Sequence, residues 1–394
     1  MSEGALESAD HGVLSGWVRG LGGPPRRRLS LWVDGRECGI VVARGPADGP
    51  LRFQHPLPER FRDGQPHEIL LRTREGETVL DGTPLRLTLD PAANPVGEGP
   101  LEGALRGREG WWYLCRDSND SIGQYRGELR LSPTDLRRYQ LLLEGRQRHL
   151  RRRRPYLLFT VPGKEWVYPE FLPEGLLRSP LARPAEQLQA MALSECPGLT
   201  VVDLLPVLLA GKEREPLYFR TDSHWNHAGA FVAARALITQ VRAFFPAVPP
   251  LLDSDLEWLE RPFDNGDLRQ KNQFALQGAD GWQPLPHQDP GAETQRVPRP
   301  RAGRRARRLP TPAALQRSPT RETWVLETGL DTLPSCVMFR DSFSDWLIWL
   351  LAEHFRRIVF VWQSAYDAEL VDAEAPDLVL HQVAERFLIR LPER

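Results

Sequence analysis

The chain has 394 residues, 41% hydrophobic and 26% charged, with a formal net charge of −1. That is the composition of a globular protein long enough for two domains, and its charge balance excludes general attraction to nucleic acid or anionic membrane. Four dispersed cysteines (Cys38, Cys115, Cys196, Cys336) lack zinc-site or disulfide-framework spacing and read as buried free thiols.

No run approaches the roughly 18 apolar residues of a transmembrane helix. The acidic start, Met1-Ser-Glu-Gly-Ala-Leu-Glu, has no apolar core of a signal peptide. Read as it stands, the chain is expected in the cytoplasm; with a misassigned start codon the expectation becomes periplasmic.

Residues 1–92 read as an all-β accessory domain. Val13-Leu-Ser-Gly-Trp-Val, Arg28-Leu-Ser-Leu-Trp-Val, Ile40-Val-Val-Ala and Glu68-Ile-Leu-Leu-Arg-Thr-Arg alternate as strands do, and Asp34-Gly35, Asp63-Gly64 and Asp81-Gly82 supply turns. A small β-sandwich is predicted, with Trp17 and Trp32 in its core and a sugar-contact role as the alternative. Residues 91–100, rich in Pro, Gly and Ala, form a linker.

Residues 100–394 form the second domain. Ser132-Pro133-Thr-Asp135 caps a helix that ends in a basic run at Arg146–Arg154. Tyr156–Val161 is a strand, and helices are expected near 185–193 and 227–242. Residues 276–320 are rich in Pro, Gly, Gln and Arg, nearly polyarginine from Arg296 to Arg308, and predict a mobile insertion. Beyond it, Leu333–Phe339 reads as a buried strand, Trp346–Phe355 as an apolar helix and Arg357–Trp362 as the next strand. Alternating strands and helices imply an α/β fold, a largely parallel sheet covered on both faces.

Two stretches of this domain carry chemistry. In Tyr218-Phe-Arg-Thr-Asp222-Ser-His224-Trp225-Asn226, a carboxylate two residues from an imidazole can orient it and fix its tautomer. In Phe339-Arg-Asp341-Ser342-Phe-Ser344, a serine at a strand-to-helix turn can be the nucleophile that the imidazole deprotonates. Asp341 suits either support of the serine loop or a helix cap, and Asn226 either an oxyanion donor or a cap. Ser344 ranks below Ser342. Lys is rare, at 164, 212 and 271 only, so Lys164 stands out as a substrate or loop contact, with a surface ion pair as the plain alternative. Zinc on His224, His227 and Asp222 is disfavoured because ligands packed so closely before a helix rarely reach tetrahedral geometry; no metal or cofactor is expected.

Together these stretches resemble the SGNH hydrolase-like domain of the AlgJ/AlgX-type polysaccharide O-acetylation proteins, with its Asp-Thr-His-Trp-Asn element ahead of the serine block. Gly110-Trp111-Trp112-Tyr113-Leu114, Tyr156–Lys164 followed by Val167-Tyr168-Pro169, and Ala373–Leu380 with Glu385-Arg386 are similar to other parts of that family. Arg340 stands where the family often has Gly, Gly163 where it often has Asn, and Asp222-Ser-His replaces Asp-Thr-His. The resemblance implies a flavodoxin-like sheet flanked by helices and a serine-dependent O-acetyltransferase working through an acyl-serine, with Ser342, His224 and Asp222 as triad. Lys164, Trp225 and Tyr168 would contact substrate. It further implies a glycan or polysaccharide acceptor and an acetyl donor supplied by a membrane acyltransferase. A carbohydrate acetylesterase, or a glycan-binding scaffold with a vestigial triad, are the alternatives.

Overall fold

The computed structural model describes residues 4–9, 13–19, 26–45, 49–57, 61, 64–73, 78–89, 103–151, 154–277, 281–318 and 321–390. The chain divides into two compact units, Met1–Gly103 with Cys115–Gly123, and Ala104–Leu114 with Gln124–Pro392. The linker expected at 91–100 lies outside the described residues.

The first unit is all-β. Strands β1 (Gly4–Ser8), β2 (Val13–Arg19), β3 (Arg26–Val33), β4 (Arg36–Arg44), β5 (Pro50–Pro56), β6 (Pro66–Thr73) and β7 (Leu85–Thr88) form one antiparallel sheet in the order β1-β2-β5-β4-β3-β6-β7. Alternation along the strands gathers Leu14, Val18, Leu29, Leu31, Val41, Phe53 and Leu71 into a core. Asp34 and Gly35 turn tightly between β3 and β4 with φ of 51° and 77°, as the Asp-Gly signal predicts. The Leu6 N–H donates to Asp81 O at 2.8 Å, which ties β1 to the segment between β6 and β7. The same alternation turns Trp17 and Trp32 out of the core; both are half-buried, and the Arg72 guanidinium lies 4.8 Å from the Trp32 ring.

In the second unit, β8 (Gly103–Arg106) and β9 (Trp112–Cys115) precede β10 (Tyr156–Val161) and β11 (Thr200–Asp203). There follow β12 (Leu256–Phe263), β13 (Asn272–Gln277), β14 (Gly281–Leu285), β15 (Glu293–Pro300), β16 (Arg307–Leu309), β17 (Trp324–Glu327), β18 (Ser335–Arg340), β19 (Arg357–Trp362) and β20 (Leu378–Ala384). The main sheet has the order β11-β10-β20-β18-β19-β17-β16. Its first five strands are parallel, and β17 and β16 add an antiparallel edge. β10 and β18 are buried at every residue, which is why they read as unbroken apolar runs: helices cover both faces. One covering helix, Pro133–His149, starts at a capping box between Ser132 and Asp135; another, His227–Phe244, buries Ala230, Ala234, Leu237 and Val241. Among the described residues, no helix is long and apolar enough to cross a membrane.

The segment expected to be a mobile insertion instead carries β14, β15 and β16. β15 pairs with β12 along its whole length, and β16 completes the main sheet. Its arginines are spread over partners distant in sequence: Arg299 pairs with Glu257, Arg296 pairs with Glu215 and lies over Trp258, and Arg308 pairs with Glu322 and lies over Trp324. A charge run that looks self-repelling along the chain is neutralised across space.

Candidate active site

The serine lies where the sheet topology puts it, at the carboxyl end of a central parallel strand. β18 ends at Arg340, and residues Ser342–Trp346 form a 3-10 turn leading into the helix Ile348–Ala352, shorter than the helix expected. Asp341 caps this turn by accepting the Phe343 N–H at 3.0 Å. Its carboxylate also accepts Gln382 Nε2 at 2.7 Å and the Ala384 N–H at 2.7 Å, both from β20. Gln382 Oε1 accepts the Asp341 N–H at 3.0 Å and the Ser344 hydroxyl at 2.8 Å. Ser344 is thereby buried and engaged, while Ser342 faces the imidazole. Arg340 does not enter this space: its guanidinium pairs with Asp345 and lies 4.7 Å from the Trp362 ring centre.

The Asp-His stretch is a short hairpin closed by pairing of Tyr218 with Trp225. Buried Lys164 holds it from inside, donating to the carbonyls of Phe219, Arg220 and Asp222 at 2.9, 3.0 and 2.8 Å. Glu293 meets its amides, accepting Arg220 N–H at 2.7 Å and Thr221 N–H at 2.9 Å. Trp225 is fully buried, donating to Phe343 O at 2.9 Å and so tying this hairpin to the serine turn. Asn226 caps the following helix by accepting the Gly229 N–H at 3.0 Å, and its Nδ2 donates to Pro216 O at 2.8 Å. Gly229 is required there, since a Cβ would meet Leu217 O at 2.2 Å.

These two pieces bring three side chains into line. His224 Nε2 is 2.7 Å from Ser342 Oγ, and His224 Nδ1 is 2.7 Å from Asp222 Oδ1. The network assigns the proton to Nδ1 in the neutral ring, leaving Nε2 to accept the serine hydroxyl. Asp222 Oδ1 also takes the His224 N–H at 2.8 Å, and Oδ2 takes the Asp267 N–H at 2.9 Å. Burial favours a neutral imidazole, but the hydrogen bond and charge of Asp222, with the charge of Asp267, outweigh it and raise the His224 pKa above its ordinary 6.5. Burial likewise opposes ionisation of Asp222, yet the His224 hydrogen bond and charge and the two N–H donors hold its pKa below 3.8. The Ser342 N–H lies at the N-terminus of its turn, where helical geometry leaves such groups unpaired and able to meet an oxyanion.

Asp222, His224 and Asp267 lie close enough to suggest a cation site, but each of their ligand atoms already takes part in a hydrogen bond. Asp267 accepts the Ser223 N–H at 2.7 Å and the Ser223 hydroxyl at 2.6 Å, and the Asp222 oxygens serve the donors above. That donor set fits hydrogen bonding, not a metal. His227 turns to Trp346, ring centres 4.3 Å apart, and burial lowers its pKa to about 4. A cavity of about 410 Å³ lies beside the hairpin, lined by Trp111, Phe219, Arg220, Thr221 and Glu293 among others; Ser342 and His224 do not line it.

The geometry corrects several expectations. Of the two roles open to Asn226, the structure has it as a helix cap, its Nδ2 donating to Pro216 O. Lys164, Trp225 and Tyr168 are buried and hold the hairpin instead of contacting substrate; the Tyr168 hydroxyl accepts the Leu217 N–H at 2.8 Å. Gln382, Glu293 and Asp267 were missed. Neither their type nor their local spacing signals a role, although Asn265-Gly-Asp267 reads as a tight turn.

Residues 105–309 match the family model described as an SGNH hydrolase-like domain, acetyltransferase AlgX. Over 141 residues the chain is 27% identical to the probable alginate O-acetylase AlgJ of Pseudomonas aeruginosa, covering 36% of this chain and 33% of that one. Over 81 residues it is 36% identical to the probable alginate O-acetylase AlgJ of Pseudomonas syringae pv. tomato, covering 21% and 20%. The chain thus spans a third or less of these curated relatives. Bacillus cereus PatB1 with a sulfonyl adduct superposes with a TM-score of 0.51 at 12% identity, over 74% of this chain and 99% of that one, a likeness of fold. The probable alginate O-acetylases among these relatives act on an exopolysaccharide, which overturns the expectation of a cytoplasmic protein. With the family model covering residues 105–309, more than half of the chain, and an SGNH hydrolase-like sheet beneath it, the chain belongs to the AlgX family of SGNH hydrolase-like acetyltransferase domains.

Proposed function

We propose that this chain is a serine-dependent O-acetyltransferase that acetylates sugar hydroxyls of a polysaccharide through an acyl-serine. The observation that carries the reading is the hydrogen-bonded line from Asp222 through His224 to Ser342, with both links at 2.7 Å. Ser342 Oγ attacks the carbonyl carbon of the acetyl donor while His224 Nε2 takes its proton. The resulting oxyanion is met by the Ser342 N–H. Collapse breaks the bond to the donor's leaving group, which receives the proton from His224 and departs. A sugar hydroxyl then attacks acetyl-Ser342, His224 takes its proton, and that proton returns to Ser342 Oγ as the acetyl ester leaves. Asp222 stays ionised throughout, pairing with the imidazolium in each half. The alginate O-acetylase relatives support a polysaccharide acceptor.

The test is p-nitrophenyl acetate turnover with and without unacetylated alginate, using wild type, Ser342→Ala and His224→Ala. Wild type is expected to carry acetate on Ser342 by mass spectrometry and to pass it to the polymer, with turnover falling at least about a thousand-fold in either variant. Equal turnover in wild type and Ser342→Ala overturns the reading.

A further inference from the structure

We infer that Asp267 is a positioning residue for this reaction, a second carboxylate that keeps Asp222 and His224 in register and stabilises the imidazolium formed when Ser342 gives up its proton. The inference rests on Ser342 being the nucleophile. Asp267 comes 45 residues after Asp222, yet its backbone and both carboxylate oxygens engage the Asp-His hairpin. Its N–H donates to Asp222 Oδ2 at 2.9 Å, the oxygen that His224 leaves unused. Oδ1 accepts the Ser223 N–H at 2.7 Å, and Oδ2 accepts the Ser223 hydroxyl at 2.6 Å. That same Oδ2 is 3.9 Å from His224 Nδ1, and Ser223 Oγ is 3.4 Å from it.

Two carboxylates therefore converge on one imidazole nitrogen, one by direct hydrogen bond and the other through space and through Ser223. The approach is built into the chain. Gly266 packs so tightly that a Cβ would meet Thr221 O at 2.3 Å, and the Leu268 N–H bonds Thr221 O at 3.2 Å. Leu268 is fully buried with Trp112 and Leu114, anchoring the turn. A surface aspartate meant only for solubility would need none of this.

The charges acting on the imidazole are Asp222 and Asp267, which favour its protonation, and Arg386, which opposes it. Behind the hairpin, Lys164 feels both aspartates and Glu293. Without Asp267, the positive charge that develops on His224 would be balanced by Asp222 alone, with Arg386 still opposing. Asp222 would also lose the N–H that fixes its far oxygen if the turn moved.

Asp267→Asn tests this, because it keeps the backbone N–H and an oxygen able to face Ser223 while removing the charge. The readouts are p-nitrophenyl acetate kcat/KM and the rate of sulfonylation of Ser342 by phenylmethylsulfonyl fluoride, each followed against pH. The plateau is expected to fall about ten-fold, and the acid limb, which reports neutral His224, to move down by about one pH unit. A merely structural loss would lower the plateau and leave the limb in place. Asp267→Glu retains the charge and should keep the wild-type limb, which preserves the test if the Asn variant does not fold; a limb displaced in Asp267→Glu overturns the electrostatic role. Wild-type rate and limb in Asp267→Asn overturn the whole assignment, provided Ser342 takes the label in wild type. If wild-type Ser342 takes no label, it is the nucleophile reading that fails.

Discussion

The two halves of the site are held in place by different means. The serine turn leans on its own sheet: Asp341 is locked by Gln382 and the Ala384 N–H of the adjacent strand β20, a neighbour that parallel pairing supplies. The Asp-His hairpin leans on pieces distant in sequence. Lys164 meets its carbonyls together with the Trp112 and Leu268 N–H groups, and Glu293 and Asp267 meet its amides. Regular structure positions the nucleophile, whereas charged side chains position the base, so the base half should be the more fragile and the more sensitive to pH.

Removing the hairpin's central support should give the largest effect outside the triad. Lys164→Met takes the ammonium donor from the buried Phe219 and Asp222 carbonyls, while the Arg220 carbonyl keeps the Trp112 N–H at 2.9 Å, at about 2 kcal/mol after allowing for the relief of an unfavourable buried charge. Turnover is expected to fall about a hundred-fold as His224 loses alignment, with a matching drop in thermal stability by calorimetry. Burial lowers the Lys164 pKa to about 8, and a neutral amine has only two N–H groups for three carbonyls, so wild-type activity should also decline above that pH. A Lys164→Met protein with wild-type turnover would break the contrast between the halves.

That contrast also governs what the sequence made legible. The serine half could be read because strand, turn and helix follow one another locally, and Leu333–Phe339 announces a buried strand by its apolar run. Asp222 and His224 could be read because they are two residues apart. Their supports could not. Lys164 stands out by its rarity, yet the sequence does not choose between substrate and loop, because an ammonium facing three carbonyls looks in sequence like any other cation. Glu293 lies inside a segment whose composition signalled mobility, and only the pairing of β15 with β12 shows why it is fixed. The first domain repeats the lesson: alternation announces its strands, but not the bond from the Leu6 N–H to Asp81 O, between residues 75 apart in the chain.

On the serine side, Gln382→Leu should have a smaller effect. It removes the acceptor for the Asp341 N–H and Ser344 hydroxyl and the donor to Asp341, costing about 2 kcal/mol. Asp341 keeps its bonds to the Phe343 and Ala384 amides, so the turn should survive with about a ten-fold loss in turnover and an unmoved pH limb. A loss exceeding that of Lys164→Met would reverse the ranking of the halves.

The smallest effect is thermodynamic and separates the halves by charge alone. The folded His224 pKa lies above 6.5 and that of Asp222 below 3.8, so the pair is ionic between those limits. A histidine whose pKa is raised on folding contributes stability that is fully present below its unfolded value and is lost as pH rises through its folded value. Compared with His224→Gln, wild type should gain stability near pH 5 from protonation of the imidazole, and that gain should be lost as pH rises through the folded His224 pKa. Lys164 titrates in both proteins and cancels from the difference. The same comparison with Ser342→Ala should be flat, because the serine turn holds its geometry with neutral hydrogen-bond donors. Urea unfolding at several pH values measures both differences. A flat profile for His224→Gln, or one rising with pH, would mean that the imidazole is neutral at rest and that the two carboxylates serve only to orient it.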